Sequence, residues 1–432
     1  MKSVDYLIIG GSAAGTTAAE VIRGLKPDAS ITIVTEESHE EYSRVLIPHY
    51  IRHKVQRDQV FLKKSEWYTE KKIKLLKEVR AQRLEASSKS VKLSNGEEIQ
   101  YGKLLITVGG YPIKLDAPGS DLGNVFYMRT VDDADNIVKV ASSASAKASA
   151  DRQSAKGVIV GGGFIGLEFA SGFKKNGVED ITILVREPYF WSFKLDEDSS
   201  KVLVTVLEKN GIKVVCNEEV ERFEKGAVVT KSGKSLPADI VGVGIGIKSD
   251  FSFLEGSGVN INRAIVTNEY LETNVPDVYA AGDCAEFRDV IFERQHIVGN
   301  WANATSQGSA VGKNMALTSP SASDGQAGVK TVFETASSYS INFFDVGSCT
   351  FIGVTEADFS EKTVLRGSVD SGKMTRIFIK KIDGVERIVG ATVINNPREV
   401  APLTSVVKNR TDVSKFVEKL SDSEFDLKDL SS

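Results

Sequence analysis

Cysteine, histidine and long apolar runs are scarce in this sequence of 432 residues, and each scarcity excludes a class of protein. The three cysteines, Cys216, Cys284 and Cys349, are too far apart for a paired redox motif, and their odd number argues against a disulfide scaffold. The four histidines form no complete metal-binding motif such as HExxH, so the sequence predicts no metal site. No apolar run approaches the ~18 residues of a membrane span, so we expect no membrane partner.

Strong charge of one sign is also missing. The chain carries 54 basic and 58 acidic residues, a formal net charge of −4, which supplies no overall field for nucleic acid. Hydrophobic residues make up 41% and charged residues 26%, ordinary values for a globular chain, and roughly 150 residues per domain predicts about three domains. Because the sequence passes from Met1 directly into a strand pattern, we expect no secretory leader and a cytoplasmic protein.

Two segments of the chain repeat the same order of strand, glycine-rich turn, helix and strand. The first runs from an apolar strand at 6–9 through a helix pattern ending at Arg23 to a strand at 31–34. The second runs from a strand at 158–160 through a helix pattern ending near Asn176 to a strand at 181–185. Each is a βαβ unit, and their glycine turns begin at positions 10 and 161. This arrangement predicts two dinucleotide-type domains.

The first glycine turn reads Gly10-Gly11-Ser12-Ala13-Ala14-Gly15, with a serine at the second glycine position of the GxGxxG pattern. Small residues allow backbone N–H groups to approach a pyrophosphate at the start of the following helix. Glu36 follows the second strand, where an acid accepts a hydrogen bond from a ribose hydroxyl. The alternative is a glycine-rich turn in an unrelated α/β protein, and the second copy of the pattern argues against it.

The second turn fits the same pattern completely and reads Gly161-Gly162-Gly163-Phe164-Ile165-Gly166. Arg186 stands at the end of its second strand, where an arginine pairs with the 2′-phosphate of NADP. Glu187 follows immediately and keeps NAD open as the alternative. The sequence therefore predicts a nicotinamide nucleotide site and favours NADP slightly.

Two segments rich in small and polar residues suggest connections between domains. Residues 141–156 are rich in Ser, Ala and Lys and predict a frayed helix or an exposed connection. Residues 317–329 contain proline, glycine and several Ser or Thr residues and predict a domain boundary. The tail from Thr331 has short β-rich runs followed by helix patterns, which indicates a further α+β domain.

Four further segments follow in an informative order: a strand and turn at 104–110, a returning strand at 238–246, a stretch at 273–283 that ends in Gly282-Asp283, and a helix start at 301–308 of the form WxNAxxQG. Together with the two glycine turns, these segments resemble the FAD-dependent pyridine nucleotide oxidoreductase family over residues 4–316. The resemblance implies an α/β fold with two Rossmann-like domains, one for FAD and one for NAD(P)H, and an oxidoreductase activity.

The resemblance also implies domain limits and site residues. The expected FAD domain covers 1–115 and 247–325, the expected NAD(P)H domain covers 116–246, and 326–432 form a C-terminal domain that is a possible dimer contact. Asp283 matches the aspartate that binds the ribityl chain of FAD, and Gly244 and Gly246 match the strand near the nicotinamide. The other residues expected at FAD are Thr107, Gly109, Gly282 and Trp301.

The cysteine positions point to one branch of the family. Branches that reduce disulfides or peroxide need a thiolate close to the first glycine turn, and this chain has no cysteine before Cys216. The stretch from Tyr42 to His49 instead resembles the YxRPxLSK segment of rubredoxin and ferredoxin reductases. Arg44 matches a residue that contacts FAD in that branch, whereas Val45 replaces a proline and His49 stands where a lysine is common.

Glu168 resembles the glutamate that partners this lysine, so we hypothesise a catalytic pair of His49 and Glu168 next to flavin N5. The alternative is that His49 packs in its loop without a catalytic role.

The expected reaction passes a hydride from NAD(P)H to flavin N5 and electrons to an external acceptor, for which the resemblance suggests a small iron–sulfur protein such as rubredoxin or ferredoxin. Two alternatives stay open. One is an NAD(P)H oxidase or a quinone or dye reductase that uses a small-molecule oxidant. The other is a redox-sensing flavoprotein with slow turnover.

Overall fold

The computed structural model describes residues 2–151, 153–317, 329–335, 338–344, 347–356 and 358–431. The chain divides into two compact units. The first contains Met1–Val45, Arg57–Tyr111 and Ile247–Thr335, and the second contains Leu46–Gln56, Pro112–Gly246 and Ala336–Ser432. The domain boundary predicted at 317–329 falls almost entirely outside the described residues, and the division into three domains stays a prediction. No helix within the described ranges is long and apolar enough to cross a membrane.

The helices vary from a single short turn to twenty residues. In chain order they are α1 Ala13–Leu25, α2 Ile47–Ile51, α3 Ser65–Glu70, α4 Val131–Ala150, α5 Phe164–Lys175, α6 Glu197–Lys209, α7 Trp301–Leu317 and α8 Val400–Lys408. Helix α4 begins at a capping box of Thr130 and Asp133 and continues to Ala150, so most of the Ser/Ala/Lys-rich stretch is helical.

The strands are mostly short. In the first half of the chain they are β1 Lys2–Ile9, β2 Ile31–Val34, β3 Ile73–Leu76, β4 Ala81–Glu85, β5 Ser90–Leu93, β6 Glu98–Ile106, β7 Tyr111–Pro112, β8 Val125–Phe126, β9 Ala155–Val160, β10 Val178–Leu184 and β11 Ile212–Val215. In the second half they are β12 Val220–Glu224, β13 Ala227–Thr230, β14 Ser235–Pro237, β15 Ile240–Val243, β16 Ile247–Lys248, β17 Ile265–Thr267, β18 Val278–Ala280, β19 Ala285–Asp289, β20 Arg294–His296, β21 Ser338–Phe343, β22 Gly347–Gly353, β23 Lys362–Ser368, β24 Lys373–Ile382 and β25 Val385–Ile394.

The first unit is built on a seven-stranded sheet of order β3-β2-β1-β6-β5-β4, with β18 also paired to β6. Strands β3, β2, β1, β6 and β18 are parallel, which is the arrangement of a dinucleotide-binding domain. The central strand β1 buries Leu7 and Ile8 completely, and hydrophobic clusters cover both faces of the sheet. This core fixes the glycine turn that follows β1.

Helices α1 and α7 of the first unit pack at very short range because the contact residues are small. A Cβ atom added to Gly308 would lie 2.4 Å from the carbonyl oxygen of Ala14, and one added to Gly312 would lie 2.9 Å from that of Ala18. The two glycines therefore allow the helix backbones to touch. This contact places the N-terminal turn of α7 beside the glycine turn at the start of α1.

The second unit contains a parallel sheet of order β11-β10-β9-β15-β8. Strand β9 leads into helix α5 through the second glycine turn, as β1 leads into α1. The same unit contains a five-stranded antiparallel sheet of order β21-β22-β25-β24-β23, on which α8 packs. The predicted α/β fold class with two Rossmann-like sheets and a C-terminal α+β region is confirmed.

Candidate functional site

The first glycine turn leaves a space beside the backbone that larger side chains would fill, and we call each such glycine turn a cradle. A Cβ atom on Gly10, whose φ is +117°, would lie 2.2 Å from the carbonyl oxygen of Thr107, and one on Gly15 would lie 2.1 Å from that of Gly10. The Thr107 hydroxyl donates to the carbonyls of Ile9 and Gly10, both at 3.0 Å, and holds the turn against β6. The Ser12 side chain makes no capping bond, so the first N–H groups of α1 stay available for a phosphate. Ala13 and Ala14 are buried beneath the turn.

Gly282 and Asp283 lie at the end of β18, next to the start of α7. The Gly282 N–H donates to Gln307 Oε1 at 2.6 Å, and the negative charge of Asp283 acts on Arg44. Within the described part of the chain, two buried polar atoms of this helix, Gln307 Nε2 and Asn303 Oδ1, have no hydrogen-bond partner. A polar ligand along the helix would satisfy them. The cradle and these orphan atoms fit FAD.

Other expected FAD residues are found in ion pairs of the first unit. Arg44 pairs with Glu37 and contacts the Tyr42 hydroxyl at 3.4 Å. Glu36 lies 3.3 Å from Arg80 and accepts a hydrogen bond from Tyr111. Glu37 and Arg80 were missed by sequence reasoning, because each gains its role from a neighbour on another element.

The remaining two expected FAD residues frame this region of the first unit. Gly109 adopts a φ of +62°, and its carbonyl accepts a bond of 2.6 Å from the Ser249 hydroxyl. Trp301 is the half-buried first residue of α7 and packs on the hydrophobic cluster below α1.

The second glycine turn repeats the same geometry in the second unit. A Cβ atom on Gly161 would lie 2.3 Å from the carbonyl oxygen of Gly244, and one on Gly166 would lie 2.2 Å from that of Gly161. Ile165 fills the space in front of Gly244, where a Cβ would approach it to 2.9 Å. Gly246 has a φ of +114°, a conformation that favours glycine. This cradle fits the pyrophosphate of a nicotinamide nucleotide.

An aromatic segment that follows β10 lies over the second turn. The ring tip of Phe193 is 3.6 Å and the indole nitrogen of Trp191 is 3.8 Å from the position of a Cβ on Gly163. Phe193 is 67% exposed, whereas Trp191 is buried and adopts a φ of +59°. Sequence reasoning missed both residues, although the aromatic run Tyr-Phe-Trp-Ser-Phe directly after a nucleotide-binding strand is a usable signal. We call Trp191 and Phe193 the aromatic cover.

Phe164, the first residue of α5, belongs to a ring cluster below this cover. Its centroid lies 6.4 Å from that of Trp191 and 6.3 Å from that of Tyr339. Phe351 stacks on Tyr339 at 5.2 Å, so rings from the antiparallel sheet support the start of the nucleotide-binding helix. Arg186 is exposed, and its Nε donates to Glu187 at 2.8 Å.

His49 and Glu168 both lie in the second unit, but no hydrogen bond or ion pair joins them among the described residues. Burial, with a smaller opposing effect of Arg52, raises the pKa of Glu168 to about 8. Burial, followed by the charges of Arg52 and Lys54, lowers the pKa of His49. At neutral pH the carboxyl therefore holds a proton and the imidazole is neutral, so the proposed pair carries no opposite charges. The catalytic role of His49 and Glu168 stays a prediction.

The three cysteines are placed where thiols are unreactive. Burial raises the pKa of Cys284 to about 12, and its Sγ contacts the carbonyls of Ala281 and Ile106. Burial also raises the pKa of Cys349 and of Cys216. Because the thiolate is the nucleophile, none of the three fits a redox relay at neutral pH.

Residues 4–308 match the model of a protein family described as pyridine nucleotide-disulphide oxidoreductase. The chain belongs to this family. Membership confirms the predicted oxidoreductase class and the pairing of FAD with NAD(P)H that the two cradles indicate.

Relatives in the family differ in length and in name. The chain is 31% identical to NADH oxidase of Methanocaldococcus jannaschii, over 72% of this chain and 69% of the relative. It is 30% identical to NADH-rubredoxin oxidoreductase of Clostridium acetobutylicum, over 66% and 69%. It is 26% identical to nitrite reductase [NAD(P)H] of Bacillus subtilis over 96% of this chain, which spans only 48% of that longer relative.

Solved structures extend the likeness to the C-terminal region. The Clostridium acetobutylicum NADH:rubredoxin oxidoreductase matches with a TM-score of 0.76 and 25% identity, covering 95% of this chain and 96% of that one. The covalent putidaredoxin reductase–putidaredoxin complex matches with a TM-score of 0.87 and 22% identity, covering 100% and 99%. The second match shows that the whole fold is shared.

Proposed function

We propose that this chain is an NAD(P)H-dependent flavoprotein reductase that passes electrons directly to a small iron–sulfur electron carrier of the rubredoxin or ferredoxin type. The observation that carries the proposal is the combination of two nucleotide cradles with three unreactive thiols. Cys284, the cysteine closest to the FAD cradle, has its pKa raised to about 12. A family member without a thiolate relay must deliver its electrons to an external acceptor.

In this scheme the first unit holds FAD and the second holds the nicotinamide nucleotide. The Gly10–Gly15 turn would accept the FAD pyrophosphate, and Asp283 and the orphan atoms of Gln307 and Asn303 would bind polar groups along the cofactor. When bound, FAD supplies the chemistry of accepting a hydride and releasing electrons. The protein contributes binding and positioning.

The second cradle would hold the donor through its pyrophosphate at Gly161–Gly166, with the aromatic cover over the turn. Glu168 follows this turn on α5 and holds a proton at neutral pH, so it would serve as a hydrogen-bond donor rather than as a charge. The names of two relatives support NADH as the donor, and Arg186 keeps NADPH possible. We propose NADH as the preferred donor.

Anaerobic stopped-flow spectroscopy tests the proposal. The holoprotein is mixed with NADH or NADPH while flavin absorbance is followed, and the reduced protein is then mixed with oxidised rubredoxin, with a plant-type ferredoxin or with dissolved oxygen. We expect rapid bleaching by NADH and faster reoxidation by at least one iron–sulfur protein than by oxygen. A colourless protein that takes up no flavin would refute the proposal.

The second candidate is an NADH oxidase, and the relative of that name at 31% identity favours it. In that case oxygen would reoxidise the reduced protein at least as fast as either iron–sulfur protein does. Omitting the iron–sulfur protein from steady-state assays in air would then leave turnover unchanged. The same stopped-flow traces therefore decide between the two functions.

A further inference from the structure

The segment between β10 and α6 carries the aromatic cover and contacts the antiparallel sheet of the same unit. We call residues 191–196 the cover segment, which reads Trp-Ser-Phe-Lys-Leu-Asp. Its first and third residues form the aromatic cover, and its fourth and sixth residues are charged. The two charges have no part in the reaction proposed above, yet both are engaged in specific contacts.

A strained turn within the cover segment directs Phe193 outward. Trp191 adopts a φ of +59°, a conformation that is unfavourable for a bulky side chain. Its carbonyl oxygen accepts the N–H groups of Lys194 at 2.9 Å and of Leu195 at 3.0 Å. This turn leaves the Phe193 ring exposed next to Gly163. Such a conformation persists only where surrounding contacts impose it, so the contacts of this segment decide where the aromatic cover lies.

The antiparallel sheet supplies the apolar part of these contacts. The Trp191 ring packs edge-on against Phe351 of β22, with 5.2 Å between the ring centroids, and both residues are buried. Phe351 pairs across the sheet with Thr392 of β25, and Thr392 pairs with Arg376 of β24. Because residues directly opposite each other in an antiparallel sheet share a face, Phe351 and Arg376 lie on the face that meets the cover segment.

Two ion pairs join this region of the sheet to the cover segment. Arg376 Nη1 donates to Asp196 Oδ2 at 2.8 Å. Lys194 Nζ donates at 2.8 Å to Oε1 of Glu356, which lies three residues beyond β22. The four side chains are between 24% and 38% exposed, so each pair contributes little to stability. Lys194 and Asp196 follow Phe193 by one and three residues, so the pairs fix the backbone that carries this ring.

We propose that Arg376 and Glu356 are positioning residues for the nicotinamide nucleotide. Through their partners in the cover segment they hold the Phe193 ring over the second glycine turn, where it would pack on the bound nucleotide. A ring that is already fixed in this place loses less conformational freedom when the nucleotide binds, so the affinity is higher. The inference rests on the proposed function, because it concerns binding of the electron donor. The antiparallel sheet thus contributes to donor binding from outside the second cradle.

Anaerobic stopped-flow reduction of the FAD-bound protein over a range of NADH concentrations tests the role of Arg376. The concentration dependence gives a Kd for NADH and a limiting rate of flavin reduction. Arg376→Met removes the charge and keeps an unbranched apolar stem, so it should raise the Kd about threefold and leave the limiting rate and the FAD content unchanged. Arg376→Lys restores the charge and should return the Kd to that of the unsubstituted protein. Lys381→Met removes an exposed charge from the same strand and should change neither quantity.

A double variant shows whether Arg376 acts through the aromatic cover. If it does, Phe193→Ala already removes the ring that Arg376 positions, so the double variant Arg376→Met/Phe193→Ala should have the Kd of Phe193→Ala alone. Glu356→Gln weakens the other ion pair and provides an independent test, with an expected rise in the Kd of about twofold.

Three results would overturn the proposal. They are a Kd in Arg376→Met equal to that of the unsubstituted protein, multiplication of the two single effects in the double variant, and a loss of FAD content or of limiting rate without a rise in the Kd. If NADH does not bleach the flavin of the unsubstituted protein, the reductase function fails and the inference fails with it. If NADH bleaches the flavin and Arg376→Met binds NADH equally well, only the inference fails.

Discussion

The protonation of Glu168 is set by burial rather than by a partner of opposite charge. The raised pKa of about 8 means that the folded chain keeps a proton that the unfolded chain releases near its ordinary value of 4.5. Because the folded state binds more protons in this window, the contribution of this group to stability is full below about pH 4.5 and falls as pH rises to about 8. The burial of this residue therefore predicts a measurable pH dependence of the protein's stability.

Replacing Glu168 with glutamine tests this link. Glutamine imitates the protonated carboxyl, so Glu168→Gln should lose less thermal stability than the unsubstituted holoprotein between pH 5 and pH 8.5. The melting temperature of each protein is measured at several pH values across this range. Glu208→Gln, on the exposed face of α6, is the matched control and should follow the unsubstituted protein. Parallel curves for all three proteins would show that Glu168 is ionised throughout.

Arg186 is expected to decide how well NADPH is used. Its exposed side chain stands at the end of the strand that follows the second glycine turn, where a 2′-phosphate would bind. Arg186→Ala should raise the KM for NADPH about tenfold, because one charge-assisted hydrogen bond is lost. The KM for NADH should change less than about twofold. Lys225→Ala, in the hairpin turn before β13, controls for the loss of a surface charge. Equal changes for both nucleotides would contradict the assignment.

Among the elements, the packing of α1 against α7 depends on the absence of side chains. A methyl group on Gly308 would meet the Ala14 carbonyl at 2.4 Å, and backbone cannot move aside as a flexible side chain does. Gly308→Ala should therefore destabilise the first unit by about 1–3 kcal/mol and weaken FAD retention. The measurements are denaturant unfolding and the flavin content after gel filtration.

Gly24 supplies the matched control for this prediction. It lies near the end of α1, and a Cβ atom there would meet nothing within 4 Å. Gly24→Ala should stabilise the protein by about 0.4–1 kcal/mol, because alanine has less freedom in the unfolded chain. If Gly308→Ala were as stable as Gly24→Ala, the result would contradict the close packing of α1 against α7.

The aromatic cover lies over the second glycine turn. Phe193 is largely exposed, so its removal should cost little stability, but its ring lies above the turn that would hold the pyrophosphate. Phe193→Ala should weaken NADH binding about three- to tenfold with an unchanged melting temperature. Nucleotide fluorescence titration measures the binding. Leu365→Ala, another exposed apolar residue on β23, should change neither property.

Local sequence patterns predict the two nucleotide cradles, whereas the features that sequence reasoning missed depend on contacts between distant segments of the chain. The strand, turn and helix around Gly10 and around Gly161 are encoded within about 30 residues, as in any βαβ unit. The protonation of Glu168 depends on burial and on Arg52, more than 100 positions earlier in the chain. The order of the antiparallel sheet depends on the pairing of β22 with β25, two strands that are not consecutive in the chain, and periodicity does not specify this pairing.

The two cradles lie in different compact units, so we expect that a variant can lose nucleotide binding at one cradle and keep it at the other. A methyl group on Gly166 would lie 2.2 Å from the Gly161 carbonyl oxygen and would distort the second turn only. Gly166→Ala should therefore purify with its full content of FAD and fail to be reduced by NADH, while dithionite still bleaches it. Flavin absorbance measures both properties in one preparation.

Gly163→Ala is the control within the same turn. Its added Cβ would find its nearest neighbour at 3.6 Å, the ring tip of Phe193, which is exposed and able to turn away. This variant should fold normally and keep a measurable, weaker reduction by NADH, because only the approach of the pyrophosphate is crowded. If Gly166→Ala lost FAD as well as NADH reduction, the two cradles would not be independent, since a defect in one unit would have reached the other.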